Sequence, residues 1–179
     1  KDAVSNILAH LDAHVAKLQF ALTRIDGDGV STGHTMTFGN WRENSKIARK
    51  VLQDGVYTTP PTSGNVFRRD VCALLEDVDY DRAVDGVILF AAPFLGDIVS
   101  LDIPLARYRV HGRNDSGLGR PLDAASLRRD IRRFKDRTEH LRRFLSQHFP
   151  DAKLVETEKA YFHLERSFYL AIAEGKGVL

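Results

Sequence analysis

Cysteine is almost missing from this chain. Cys72 is the only one in 179 residues, which excludes an internal disulfide and any zinc site built on paired thiolates. It sits in the apolar run Val71-Cys72-Ala73-Leu74-Leu75, where a small buried hydrophobe is expected rather than a reactive thiol. Long apolar runs are missing as well. None approaches the roughly 20 residues of a membrane-spanning helix, and no charged segment followed by an apolar one marks a secretory signal. Charge of one sign is not in excess either: 26 Lys and Arg face 24 Asp and Glu, and a net charge of +2 is too small to argue for nucleic acid by itself. Internal repeats and low-complexity segments do not occur. The chain begins with Lys rather than Met, which reads as a piece of a longer polypeptide.

What is present suits a globular protein, with 43% hydrophobic and 28% charged residues. The length allows one domain, or a compact domain with an appendage. Val4, Ile7, Leu8, Leu11 and Val15 recur at helical spacing and predict a helix over 2–16. Residues 17–25 alternate as a strand, and Asp26-Gly27-Asp28-Gly29 ends it with turn chemistry. A second strand is expected within 30–38, and Asn40 is placed to cap a helix over 41–52. Pro60-Pro61 imposes an extended approach to Thr62. Residues 65–68 read as extended, Asp70 as the cap of a helix to Leu75, and Asp85 as the start of an apolar helix ending near Pro93 or Gly96. Two strands, 97–101 and 105–110, are expected to flank a bend at Ile103-Pro104. Residues 112–121 read as a loop. Beyond it, Leu127, Ile131, Phe134, Leu141 and Leu145 form one helical stripe. Tyr161, Leu164, Phe168 and Ile172 form another past Pro150, so an antiparallel helical hairpin is predicted. The expected fold class is α/β, with a domain over 1–118 and the hairpin over 119–179.

Several polar groups invite a chemical reading beside a plain one. Asp85 is either a helix cap, where Asp is favoured, or a general base. His111 is either a hydrogen-bonded loop residue or a metal ligand completing a carboxylate site. Arg109 and Arg113 either neutralise a phosphate group or pair with Asp102 or Asp115. Thr62-Ser63-Gly64-Asn65 is either an ordinary turn or the wall of a binding site that Gly64 lets a ligand approach. Asp26-Gly27-Asp28 has Asp-x-Asp spacing, but its glycines and missing acidic partners favour a turn over a metal loop. Between Arg120 and Arg143, eight Arg and Lys135 face four acids, a local +5. That face is a solvated surface first, an anionic membrane contact second, and a nucleic-acid site last.

The strings 61–69, Asp85-Gly86 and 101–116, the last ending Tyr108-Arg109-Val110-His111-Gly112-Arg113-Asn114-Asp115-Ser116, together resemble the acceptor-side half of family-2 glycosyltransferases. Arg24-Ile25-Asp26-Gly27-Asp28-Gly29 matches a segment that commonly follows that family's donor-binding half, and the likeness spans roughly residues 15–118. It implies a partial GT-A fold and transfer of a sugar from a nucleotide diphosphate donor to a carbohydrate or lipid-linked acceptor. Asp85 would be the base, although Val84 stands where the family often has a second acid. Thr62, Ser63, Gly64, Asn65, Arg109, Arg113 and Asn114 would bind substrate, and His111 would bear on a divalent metal, Mn or Mg. The family's donor-binding βαβ unit and metal-holding Asp-x-Asp have no counterpart here, so the resemblance implies a fragment inactive when isolated. A cytoplasmic location follows, with the 120–143 helix offered to the inner membrane surface. The rival expectation is a non-catalytic interaction module built on a glycosyltransferase remnant.

Overall fold

A computed structural model describes residues 2–76, 78, 85–111, 114 and 123–176. In chain order the elements are helix α1 (Asp2–Leu8), strands β1 (Val15–Ile25), β2 (Ser31–Met36) and β3 (Trp41–Glu43), and helix α2 (Ser45–Asp54). A 3₁₀ turn (Thr62–Gly64) leads into β4 (Asn65–Phe67), α3 (Arg69–Ala73), α4 (Asp85–Leu95) and β5 (Asp97–Arg109). Helices α5 (Ala124–His148) and α6 (Tyr161–Ala173) follow. The fold is α/β, with one mixed sheet and six α-helices among the described residues, consistent with part of a Rossmann-like fold. The chain divides into two compact units, one of residues 1–45, 58–73 and 92–121, the other of 46–57, 74–91 and 122–179.

The first unit is organised on β1. Its Leu22–Ile25 half pairs antiparallel with β2, and its Lys17–Gln19 half pairs antiparallel with β4. β5 runs parallel to it along the other edge, and β3 is antiparallel to β5. With both edges hydrogen-bonded, β1 is buried almost throughout. Leu18, Phe20 and Leu22 pack with Val15, Val99 and Leu101 as the core. Full burial of side chains of this size contributes about 1.5–3 kcal/mol each.

Four local expectations are corrected. The helix predicted over 2–16 ends at Leu8, because Val15 is taken into β1 and its backbone into the sheet. Trp41–Glu43 is a strand, not a helix: it docks on β5 from Trp41↔Ser100 to Glu43↔Ile98, while the Trp41 indole donates to the Phe38 carbonyl at 2.8 Å. The two strands around Ile103-Pro104 are one, β5. Its pairing steps from Phe20↔Leu101 to Ala21↔Pro104 to Leu22↔Ala106, so bulges absorb the residue that cannot donate. Cys72 is exposed: α3 is one short turn that buries Val71 and leaves its neighbour in solvent. The 112–121 loop, apart from Asn114, lies outside the described residues.

In the second unit Leu127, Phe134, Leu141, Phe144 and Leu145 of α5 are buried. Val87–Ala91 of α4 are buried too, and the Tyr57 hydroxyl donates to the Leu89 carbonyl at 3.0 Å. Asp123 caps α5 by accepting from the Ser126 amide at 2.8 Å. Phe134 meets Phe162 at 5.0 Å between ring centroids, and Arg128 pairs with Glu174, so α5 and α6 run antiparallel as expected. Gly55 adopts φ +73°, and a Cβ there would stand 2.7 Å from Phe134 Cζ, so glycine is required on both counts. The α6 stripe differs from expectation: Tyr161, Leu164, Phe168 and Ile172 are exposed, and α6 turns Phe162 and Arg166 to α5 instead.

The first unit is also tied by Arg42, whose guanidinium grips Asp12 in a fork at 2.7 and 3.1 Å and Asp97 at 2.6 Å. Those donated bonds, with the His14 amide, hold the Asp12 carboxyl at about 2 against its ordinary 3.8. The folded value lies below the unfolded one, so this contribution is complete above about pH 4 and disappears as pH falls through the folded value. Asp12→Asn is expected to lower the urea midpoint slightly at pH 7. The gap to wild type should close between about pH 4 and 2 in a midpoint-versus-pH series.

Candidate functional site

At the end of β5 the predicted site residues converge on one carboxamide. Asn114 is buried; its Oδ1 accepts from the His111 amide at 2.9 Å, and its Nδ2 donates to the Arg109 carbonyl at 2.7 Å and the Tyr108 hydroxyl at 3.1 Å. The strand end is thereby folded back on itself and His111 is left exposed. The Arg109 guanidinium lies over the Asp26–Gly29 turn, donating to the carbonyls of Gly27 and, at 3.2 Å, of Asp26. Asp26 itself is turn machinery, accepting from the amides of Asp28 at 3.0 Å and Val30 at 2.9 Å. Arg113 lies outside the described residues.

A second cluster forms at Thr62–Asn65. Ser63 is exposed, whereas Gly64 is buried so tightly that a Cβ would meet Pro60 Cβ at 2.7 Å and Leu22 Cδ1 at 3.1 Å. Asn65 Nδ2 donates to the carbonyls of Pro60 at 3.2 Å and Pro61 at 3.0 Å, closing the turn from within. Arg68 is a strut. It forks onto Asp70 at 2.7 and 2.9 Å and donates to the carbonyls of Ala13 and Leu95, both at 3.0 Å. The guanidinium in turn holds the Asp70 carboxyl below its ordinary value.

Asp85 stands half-buried at the first position of α4, in the second unit. The helix N-terminus favours its negative charge. Gly86 has a packing reason to be small: a Cβ would fall 2.0 Å from Arg137 Cδ, and the Arg137 guanidinium lies 5.5 Å from the Phe90 ring centroid. Thus the first unit brings together Tyr108, Arg109, His111 and Asn114, and separately the Thr62–Asn65 turn, while Asp85 belongs to the other unit.

Among the described residues no three His, Cys, Asp or Glu side chains gather as a metal would need. His111 can supply one imidazole, so the described residues do not make a metal site by themselves. The 120–143 segment is partly neutralised: Lys135 reaches Glu158 at 3.1 Å, Arg142 reaches Glu139 at 3.0 Å, and Arg128 pairs with Glu174. No helix among the described residues is long and apolar enough to cross a membrane.

Two features escaped the sequence. One is a groove of about 570 Å³ in the first unit, lined among others by His10, Asp12, Asn40, Trp41 and Arg42, which depends on the unforeseen strand β3. The other is Lys17, wholly buried on β1. Its signal was available, since Lys17 and Gln19 share one strand face by alternation, and no turn or surface explains polar residues there.

Over 95 residues the chain is 35% identical to an uncharacterized glycosyltransferase of Nostoc sp. (strain PCC 7120), a stretch covering 51% of this chain and 29% of that protein. The chain spans less than a third of this relative's length. The likeness supports a relationship to glycosyltransferases. No family model matches the chain, and no solved structure matches it significantly.

The Asn114 geometry sets an expectation for stability. Asn114→Ala would leave the Tyr108 hydroxyl, the His111 amide and the Arg109 carbonyl without this partner. A loss of roughly 1–3 kcal/mol is expected by chemical denaturation, with helical signal retained.

Proposed function

We propose that this chain is the acceptor-side part of a family-2, GT-A-fold glycosyltransferase. In this reading a sugar passes from a nucleotide diphosphate to an acceptor hydroxyl with inversion. The observation that carries it is the 35% identity over 95 residues to a protein described as a glycosyltransferase. Three features of the chain are in keeping with it: an acid at a helix start, a turn closed from within beside an exposed serine, and a strand end with an exposed histidine.

Asp85 accepts the acceptor's hydroxyl proton as that oxygen attacks the anomeric carbon. The bond from that carbon to the diphosphate oxygen breaks on the opposite face, and its electron pair leaves with the phosphate. General-base assistance of this kind contributes about 10²–10⁴-fold. Ser63 and the Thr62–Gly64 backbone form the acceptor wall. Arg109, Arg113 and His111 are assigned to the departing diphosphate, with Asn114 holding the strand end that carries His111. A divalent metal on the donor would need carboxylates beyond those described here, and no step is assigned to it.

The test uses the parent polypeptide with a panel of UDP-, GDP- and dTDP-linked hexoses and manganese. Asp85→Asn is expected to lower kcat by about 10²–10⁴-fold with the circular dichroism spectrum unchanged. Wild-type turnover in that variant would overturn the assignment. The 179-residue chain alone is expected to transfer no sugar.

One observation favours a second reading, an interaction module: α6 turns Tyr161, Leu164, Phe168 and Ile172 outward, 48–64% exposed. In that case the double change Leu164→Glu and Phe168→Glu should abolish association seen by sedimentation, and Asp85→Asn should change nothing measurable.

A further inference from the structure

Lys17 is the largest fully buried side chain of the described residues, and it lies in the central strand of the first unit. Its Nζ donates to Gln19 Oε1 at 2.7 Å and to Thr59 Oγ1 at 2.7 Å. From those two partners a directed chain of hydrogen bonds runs outward. Gln19 Nε2 donates to Ser100 Oγ at 3.2 Å, and Ser100 Oγ donates to the Gly39 carbonyl at 2.9 Å. On the other side Thr59 Oγ1 donates to Asn65 Oδ1 at 3.1 Å, and Asn65 Nδ2 donates to the carbonyls of Pro60 and Pro61.

The direction of this chain follows from chemistry. A hydroxyl has one hydrogen, and a carboxamide can be turned either way to suit its neighbours. Thr59 accepts a hydrogen from Lys17 and gives its own to Asn65 Oδ1. The proline carbonyls, which only accept, hold the Asn65 amino group on their side, so the carboxamide is gripped from both ends. The bonds to Gln19 and Thr59 use two hydrogens, which an amine supplies as well as an ammonium, so these two bonds are compatible with the downward push that burial exerts on the Lys17 pKa. A lysine buried only for packing would be a costly way to fill the space, since an apolar residue of equal length fits without desolvation.

We infer that Lys17 is a positioning residue for the Thr62–Asn65 turn: through Thr59 it sets the orientation of the Asn65 carboxamide and so the shape of the wall that Ser63 and Gly64 present. The shape of the turn stands on the geometry alone, and its bearing on acceptor binding rests on the glycosyltransferase reading above.

The test compares Lys17→Met, Thr59→Val and Thr59→Ser. Thr59 is half-buried, so its variants keep the inference testable should Lys17→Met fail to fold. The Gly64 amide, which donates to the Pro61 carbonyl at 2.8 Å, reports the closed turn. In hydrogen exchange, Lys17→Met and Thr59→Val are expected to speed Gly64 exchange on the order of tenfold, while Thr59→Ser stays at the wild-type rate. Amides of β5 should be unmoved in the Thr59 variants, which a general loss of stability would not allow. In the parent polypeptide, with the donor that supports transfer, Thr59→Val should raise the acceptor KM and leave the donor KM unchanged. Wild-type Gly64 exchange in both Lys17→Met and Thr59→Val would overturn the inference. So would loss of protection in Thr59→Ser, or a donor KM that rises with the acceptor KM. If no form turns over any donor, the enzyme reading fails and the exchange measurement still decides the role of Lys17.

Discussion

The first unit depends on satisfying both edges of one strand. β1 offers hydrogen-bonding groups along eleven residues, and its sides are closed by β2 and β4 in succession on one flank and by β5 on the other. Once closed, the strand cannot hold water against its backbone, and whatever polar atoms its side chains carry must be paired inside the unit. This explains why the network from Lys17 to Asn65 and Gly39 is continuous. Each donor is followed by an acceptor because an unmet group in that layer would be expensive. The same closure connects the Thr62–Asn65 turn to the core, since β4 begins where the turn ends and lies directly on the polar half of β1.

The two groups of predicted residues in that unit are held by the same device. Asn65 and Asn114 each use one carboxamide to bond three residues of the stretch just before them, closing a turn in one case and a strand end in the other. A carboxamide is suited to this because it presents an acceptor and two donors on a short, stiff stem. The residues beside them, Ser63 and His111, are exposed, on backbones tied by those bonds. In the proposed reading internal groups set the shape and external groups meet the ligand.

Much of this was legible from the sequence where the signal was local. Alternation marked β1, the Asp-Gly pairs marked its turn, and the α5 stripe through Leu127, Phe134 and Leu141 named its buried face. Where partners lie far away in the chain, the sequence was silent or misleading. Trp41 looked helical because its strand character comes from Ser100, 59 positions on. Ile103-Pro104 looked like a break because proline removes a donor, yet two bulges against Phe20–Leu22 accommodate it. Helical spacing places Tyr161, Leu164, Phe168 and Ile172 on one face of α6, but periodicity alone does not say whether anything covers that face. The candidate site residues are legible only as a likeness of strings. Their supporting atoms, Thr59 and Lys17, carry no motif and emerge only from the contacts.

The seat of Arg109 has a bearing on how this chain tolerates change over time. Hairpin tips are ordinarily where natural variation adds or removes residues at little cost. Here the tip at Asp26–Gly29 lends its carbonyls to a guanidinium that arrives from β5, so lengthening it would withdraw the cushion on which that arginine rests. The loop is therefore bound to keep its size for the sake of a segment more than eighty positions downstream. Descendants that enlarge it would have to replace Arg109 in step.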